Sequence, residues 1–261
     1  MPSGGASGGG GASGGGGAVG DSGAPNTIPP VCVPSPDPTE VCNGIDDDCN
    51  GVVDEGCPSS LIWDAAVKQA NLGDSQGGSE FTDTCAGDEV LTGIKVAVSQ
   101  WVDQVQGVCS QLTFATAPDV TPYQYSIQLG ASRDLTPHPD TSPSVHQDLL
   151  CDSNRMVVGI KVNEQNYTPP GGTATVVLTK IWLTCAEPIL HLDSSPPGIT
   201  WQSSTDIGPA TGSAWKNSDY PAQDPLMSPA VVVTLQGSSG AWLDRIGFAT
   251  ANVGVMFSPS N

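Results

Sequence analysis

The chain has 261 residues and a formal charge of −19, from 27 acidic against 8 basic side chains, with eight cysteines. Such a balance excludes nucleic acid and anionic membrane surfaces as partners, since both require basic patches. No run of eighteen apolar residues offers a transmembrane helix. Residues 1–30 are Gly, Ala and Ser with a few Pro, which cannot bury enough apolar surface to offset chain entropy and are expected to form a disordered tether. Met1-Pro2-Ser3-Gly4 lacks the basic and apolar regions of a signal peptide. The even cysteine count fits an oxidising compartment. The expectation is therefore a secreted or cell-surface protein whose export signal is already removed, with the tether suited to attachment, for example through a lipid.

Residues 31–60 form a small acidic unit. Between Cys42 and Cys57, sixteen residues carry five acidic side chains and three cysteines, too much charge for a folding core. In calcium-loop logic, oxygen ligands at alternate positions converge on a hard cation, and a glycine at position 6 permits the turn. Asp46, Asp48 and Asn50 stand at positions 1, 3 and 5, Gly51 at 6, the Val52 carbonyl at 7 and Asp54 at 9. Cys57 stands where the bidentate Glu of position 12 belongs, so affinity falls toward the weak extracellular range. Asp47 or Glu55 can substitute.

Two resemblances attach to this segment. It is similar to the Asp-x-Asp-x-Asp-Gly repeats of thrombospondin type 3. It also resembles, over about residues 40–57, the metal-binding motif of MopE-related bacterial proteins, through Glu40-x-Cys42-Asn43-Gly44-x-Asp46-Asp47-Asp48-Cys49-Asn50-Gly51-x-x-Asp54-Glu55. The second family's name implies copper, but copper prefers imidazole or soft ligands and the motif holds no His or Met. Calcium is the expected ion. The alternative is an acidic, disulfide-stapled spacer.

From Leu61 to the end, Trp, Val and Ile fall in short runs between Gly, Pro, Asn and Asp, an all-β pattern. Three stretches look alike. Val90–Val96 leads to Trp101–Val105, Met156–Val162 to Thr179–Leu183, and Val231–Leu235 to Trp242–Ile246. Each reads strand, turn, strand, and three such hairpins suggest a threefold arrangement with one face of each unit buried against the others. Cys85 precedes and Cys109 ends the first hairpin, and Cys151 and Cys185 do the same for the second. Bridges Cys85–Cys109 and Cys151–Cys185 are the simplest pairing, each removing roughly 3–4 kcal/mol of loop entropy from the unfolded chain. Cys32, Cys42, Cys49 and Cys57 then pair among themselves in one of three arrangements. The Pro/Asp/Ser-rich stretches 115–150, 163–175 and 186–228 read as long surface loops.

Residues 62–258 resemble jacalin-related lectins. Gly237-Ser238-Ser239-Gly240-Ala241-Trp242-Leu243-Asp244-Arg245-Ile246-Gly247-Phe248 is similar to that family's last strand pair with its Gly-x-x-x-Asp sugar loop, and Gly77-Gly78-Ser79-Glu80-Phe81 to its glycine-rich first loop. The resemblance implies a β-prism of three four-stranded sheets with pseudo-threefold symmetry, binding a carbohydrate or glycoconjugate. Asp244 would accept two sugar hydroxyls, the Trp242 and Leu243 amides would donate, and Gly77 or Gly78 would donate from the facing loop. A plainer reading makes Gly240 a turn residue and Asp244 a partner for turn amides. For Asp103, in Ser99-Gln100-Trp101-Val102-Asp103, the turn reading is favoured because Ser replaces the glycine.

Catalysis is not expected. His138, His146 and His191 have no Ser or Cys elbow beside them, and no Gly-x-Ser-x-Gly, His-Glu-x-x-His or phosphate loop occurs. In so acidic a chain neither Asp193 nor Asp206 earns an acid/base role on abundance. Asn166-Tyr167-Thr168 is a glycosylation sequon followed by Pro169. The expected function is sugar binding without turnover. Its rival is a structural or adhesion protein whose β domain contacts protein and whose acidic loop only stiffens the stalk.

Overall fold

A computed structural model describes residues 32–34, 40, 42, 45–73, 77–117, 124–139, 146–191, 198–211 and 230–257. The expected tether over 1–30, and Asp193, lie outside them. The described residues hold strands and no helix: β1 Pro58–Trp63, β2 Val67–Lys68, β3 Leu72–Gly73, β4 Ser79–Thr84, β5 Glu89–Val98, β6 Val102–Ala117, β7 Gln124–Asp134, β8 His146–Leu150, β9 Met156–Tyr167, β10 Thr175–His191, β11 Gly198–Thr211, β12 Ala230–Ser239 and β13 Leu243–Phe257.

These strands make three antiparallel sheets. The first runs β1-β13-β12-β4, with β2 and β3 also paired to β13; the second runs β7-β6-β5-β8; the third, in its described part, β11-β10-β9. Each is built on one of the three repeated hairpins. Strands β5, β9 and β12 touch one another pairwise, and so do β6, β10 and β13. Three sheets in mutual contact around one axis are a β-prism. Its symmetry extends to local defects in the ladder: register slips by one residue at Thr92 on β5, Val158 on β9 and Val233 on β12. A bulge bends and twists its strand, so the same bend at the same place in each repeat closes the triangle.

The core follows the same rule. Ile94, Ile160 and Leu235 each lie two residues past the bulge, and all three are buried in one central cluster. A side chain of this kind contributes about 1.5–3 kcal/mol when fully buried. Val90, Met156 and Val231 each lie two residues before it, in a second cluster with Leu112, Ile127 and Val253. Here β6–β7, β10–β11 and β13–β1 run beyond the prism and enclose apolar side chains of their own. The expected surface loops are thus corrected in part. Residues 124–134 and 198–211 are paired strands, because alternation such as Ile127/Leu129 and Ile199/Trp201 packs onto this second cluster.

All four disulfides form: Cys85–Cys109, Cys151–Cys185, Cys32–Cys49 and Cys42–Cys57. The first two are corner ties. Cys85 follows β4, its amide bound to the Val233 carbonyl at 2.9 Å, and is bridged to β6 of the second sheet. Cys151 follows β8, its amide bound to the Thr92 carbonyl at 2.9 Å, and is bridged to β10 of the third. At the remaining corner Thr250 opposes Val232, where Cys109 opposes Leu91 and Cys185 opposes Val157.

Candidate carbohydrate and cation sites

At one end of the prism, β12 turns into β13 through Gly240, Ala241 and Trp242, with the Gly240 amide donating to the Trp242 carbonyl at 2.9 Å. The chain preceding β4 lies directly against this turn. A Cβ placed on Gly77 would lie 2.5 Å from Asp244 Cγ and Oδ1, and one on Gly78 would overlap Asp244 Oδ2 and the Ser239 carbonyl. One on Gly240 would sit 3.5 Å from Asp244 Oδ2. Gly78 has φ +64°, a conformation that disfavours any residue with a Cβ. Glycine loops from opposite ends of the domain therefore meet on one carboxylate. Asp244 itself is only 5 % exposed, so it offers an edge between the loops and not an open floor.

Trp242 is half-buried and faces inward. Its ring lies 6.2 Å from Tyr167, edge-on, and Tyr167 lies 5.2 Å from Trp101. One aromatic from each repeat thus joins a chain of ring contacts, in which Trp242 is the outer member. Leu243 is fully buried in the core, so its side chain is closed to a ligand and only its backbone is available.

The first repeat builds the same turn. Ser99 donates its amide to the Trp101 carbonyl at 3.1 Å, as Gly240 does to Trp242. Asp103 occupies the place of Asp244 and is 8 % exposed. Burial raises its pKa, while hydrogen bonds from the Ser99 hydroxyl and amide act the other way. The Ser99 side chain, absent from Gly240, fills the role a ligand hydroxyl would take, so Asp103 is a turn residue here.

The acidic unit gathers three carboxylates. Oxygens of Glu40, Asp48 and Glu55 lie within 4.8 Å of one another. Glu40 is held by three amides: Asp47 and Asp48 donate to Oε1 at 3.0 Å each, and Asp54 to Oε2 at 3.2 Å. Asp46 instead takes the Asn50 amide at 3.1 Å and the Gly51 amide at 2.8 Å. Asn50 accepts from the Val52 amide at 2.9 Å and donates to Asp48 and Glu55. Of the expected ligands Asp46, Asp48, Asn50, Val52 and Asp54, Asp48 supplies one of the three clustered carboxylates, Asn50 bonds two of them, Asp48 and Glu55, and Asp46 binds the Asn50 and Gly51 amides. Gly51, with φ +95°, makes the turn that position 6 demands.

The cluster fits a hard cation on its own terms. Glu55 Oε2 is sealed from solvent with no hydrogen-bond donor among the described residues. Three carboxylates this close repel unless a positive charge lies between them. Every nearby sulfur is locked in a disulfide, so the clustered donors are carboxylate oxygens, the kind that hard cations take. Glu40 went unread as a ligand because it lies before the loop. The signal that could have found it is its place in the motif ahead of Cys42, which the Cys42–Cys57 bridge folds back over the loop.

Pro58, next to Cys57, pairs with Phe257 at one end of β13, and Asp244 stands near the other end; the strand between Phe257 and Asp244 is roughly 40 Å long at the usual rise.

The architecture is that of a β-prism of three antiparallel sheets preceded by a metal-binding motif. Residues 34–55 match the family model Cu-binding_MopE, described as a "Putative metal-binding motif". No curated protein matches the chain. Solved structures of similar shape include frutapin, a lectin from Artocarpus incisa, with 14 % identity and a TM-score of 0.46 over 72 % of this chain and 98 % of that one. A mannose-specific jacalin-related lectin from Morus nigra in complex with mannose has 15 % identity and a TM-score of 0.43 over 72 % and 95 %. Wild-type Malaysian banana lectin has 15 % identity and a TM-score of 0.39 over 71 % and 98 %. Likeness at this level carries no argument about ligands, and the prism stands on the sheet pairing described above.

Proposed function

We propose that the protein is a non-catalytic, extracytoplasmic carbohydrate-binding protein, with its sugar site at the rim of Gly77, Gly78, Gly240 and Asp244 and with calcium in the acidic unit. The observation that carries the reading is the contact of both glycine loops with the Asp244 carboxylate. A sugar hydroxyl presented at that edge would donate to a charged acceptor in a water-poor setting, where such bonds are strongest. Backbone amides of the two loops would complete the set. Calcium would be held by Glu40, Asp48 and Glu55, in the unit that joins β1 beside the end of β13 opposite Asp244, where it would stiffen the stalk without touching the sugar. The proposed surface location rests on the four disulfides.

A glycan array run on the wild type and on Asp244→Ala tests this. Sugar-dependent binding that is lost in the variant, with unchanged β-rich circular dichroism, supports it. The 5 % exposure of Asp244 is what favours the rival adhesion reading. That reading predicts no sugar dependence in either protein.

A further inference from the structure

The outer face of the first sheet holds a second polar site. Phe81 and Ile246 point into the core, so their neighbours Glu80, Thr82 and Arg245 point outward, and Gln236 pairs with Thr82 on the same face. Between β2 and β3 the chain rises over Gly247, where a Cβ would overlap Asn71 Oδ1. That oxygen accepts the Gln236 side-chain amide at 2.9 Å, and Gln69 donates to the Thr250 hydroxyl at 2.9 Å. The result is a cleft of about 290 Å³ lined by Lys68, Gln69, Asn71, Thr82, Gln236 and Arg245, among others.

Two features point to an anionic ligand. The chain has 8 basic residues against 27 acidic ones, yet two of the 8 face this one cleft. Lys68 is exposed and forms no ion pair among the described residues. Arg245 pairs one amino group with Glu80, whose side chain is 81 % exposed, while its Nε–H is sealed from solvent with no acceptor among the described residues. The Arg245 guanidinium and the solvated Lys68 ammonium both line the cleft, and cations of these two kinds suit a carboxylate. Around it, three amide side chains and a hydroxyl both donate and accept, which suits a ligand rich in hydroxyls. The volume lies at the small end of ligand sites, room for one ring and not a chain.

We propose that this cleft binds a hexuronate, a single polyhydroxylated ring whose carboxylate lies between Arg245 and Lys68 and whose hydroxyls meet Gln69, Asn71, Thr82 and Gln236. It is separate from the glycine rim. Arg245 follows Asp244 directly, but Asp244 is the bulged residue of β13, and neither it nor Gly77, Gly78 or Gly240 lines the cleft.

Calorimetric titration of the full chain with glucuronate, galacturonate, glucose and acetate tests this. At least one uronate binds, and glucose and acetate each bind tenfold or more weakly. Lys68→Ala, an exposed change that spares the fold, lowers uronate affinity at least fivefold, and Arg245→Gln lowers it further. Asp244→Ala leaves uronate binding intact, which keeps this result distinguishable from failure of the glycine-rim reading. Absence of uronate binding, an equal response to acetate, unchanged affinity in Lys68→Ala, or loss in Asp244→Ala would overturn the proposal.

Discussion

Replacing Gly78 by Ala separates a backbone requirement from a ligand requirement at the rim. Gly78 has φ +64°, where an L-residue costs about 1–2 kcal/mol. Its new Cβ would also overlap the backbone carbonyl of Ser239, which is fixed in the β12–β4 ladder, and overpacking of this kind costs about 1–3 kcal/mol. The sum is about 3 kcal/mol, or roughly 6–12 °C in a domain of this size. Gly77→Ala meets a different obstacle: the atoms nearest its new Cβ are Asp244 Cγ and Oδ1 at 2.5 Å, which can rotate away, and Asp244 Cβ at 2.8 Å, which can give only with the β13 backbone. The loss there is about 1–3 kcal/mol, without the φ penalty that Gly78 adds, while the carboxylate leaves its place and sugar binding falls with it. Thermal and urea unfolding of both variants, together with glycan binding, make the comparison. A Gly78→Ala protein as stable as the wild type, or equal destabilisation by the two changes, would refute the packing of the loops against Asp244.

The other predictions follow from the corners, the acidic unit and Asp103. Removing Cys85–Cys109 by a double Ser substitution should cost about 3.5 kcal/mol, and removing Cys151–Cys185 slightly more, since it closes the longer loop. Denaturant midpoints measure both. Glu40→Gln and Glu55→Gln should each weaken calcium binding at least tenfold in calorimetry, whereas copper should bind the wild type no better than calcium. Tight copper binding would contradict the oxygen-only site. Chelation of calcium should leave glycan affinity unchanged, since the acidic unit joins β1 beside the end of β13 opposite Asp244. Burial raises the Asp103 pKa, so its ionised form opposes folding above the folded-state pKa, and that penalty is relieved as pH falls through it. Asp103→Asn should therefore flatten the stability–pH curve in that window, as followed by thermal melts.

The threefold plan was legible because each repeat needs the same apolar pair at the same place, as in Leu91–Ile94, Val157–Ile160 and Val232–Leu235, and because period-2 alternation marks a strand. The bulges at Thr92, Val158 and Val233 were not, since a one-residue slip leaves no mark in composition. The extra strands at 124–134 and 198–211 were masked by their Pro, Asp and Ser neighbours, although Ile127, Leu129, Ile199 and Trp201 carried the alternation. At the rim, Gly77, Gly78 and Asp244 could be paired only through family resemblance, because no local rule joins positions so distant in sequence. In the acidic unit the loop template read Asp48, while Glu40, the carboxylate before Cys42, joins the cluster from outside the loop; Asp46 and Asn50 accept backbone amides within it.

The most direct test of the sugar site is a titration of isotopically labelled protein with the best array ligand, followed by amide NMR shifts. The amides of Gly77, Gly78 and Gly240 through Asp244 should move together and saturate at one affinity. Shifts confined to other faces of the prism, with these amides unmoved, would contradict the account.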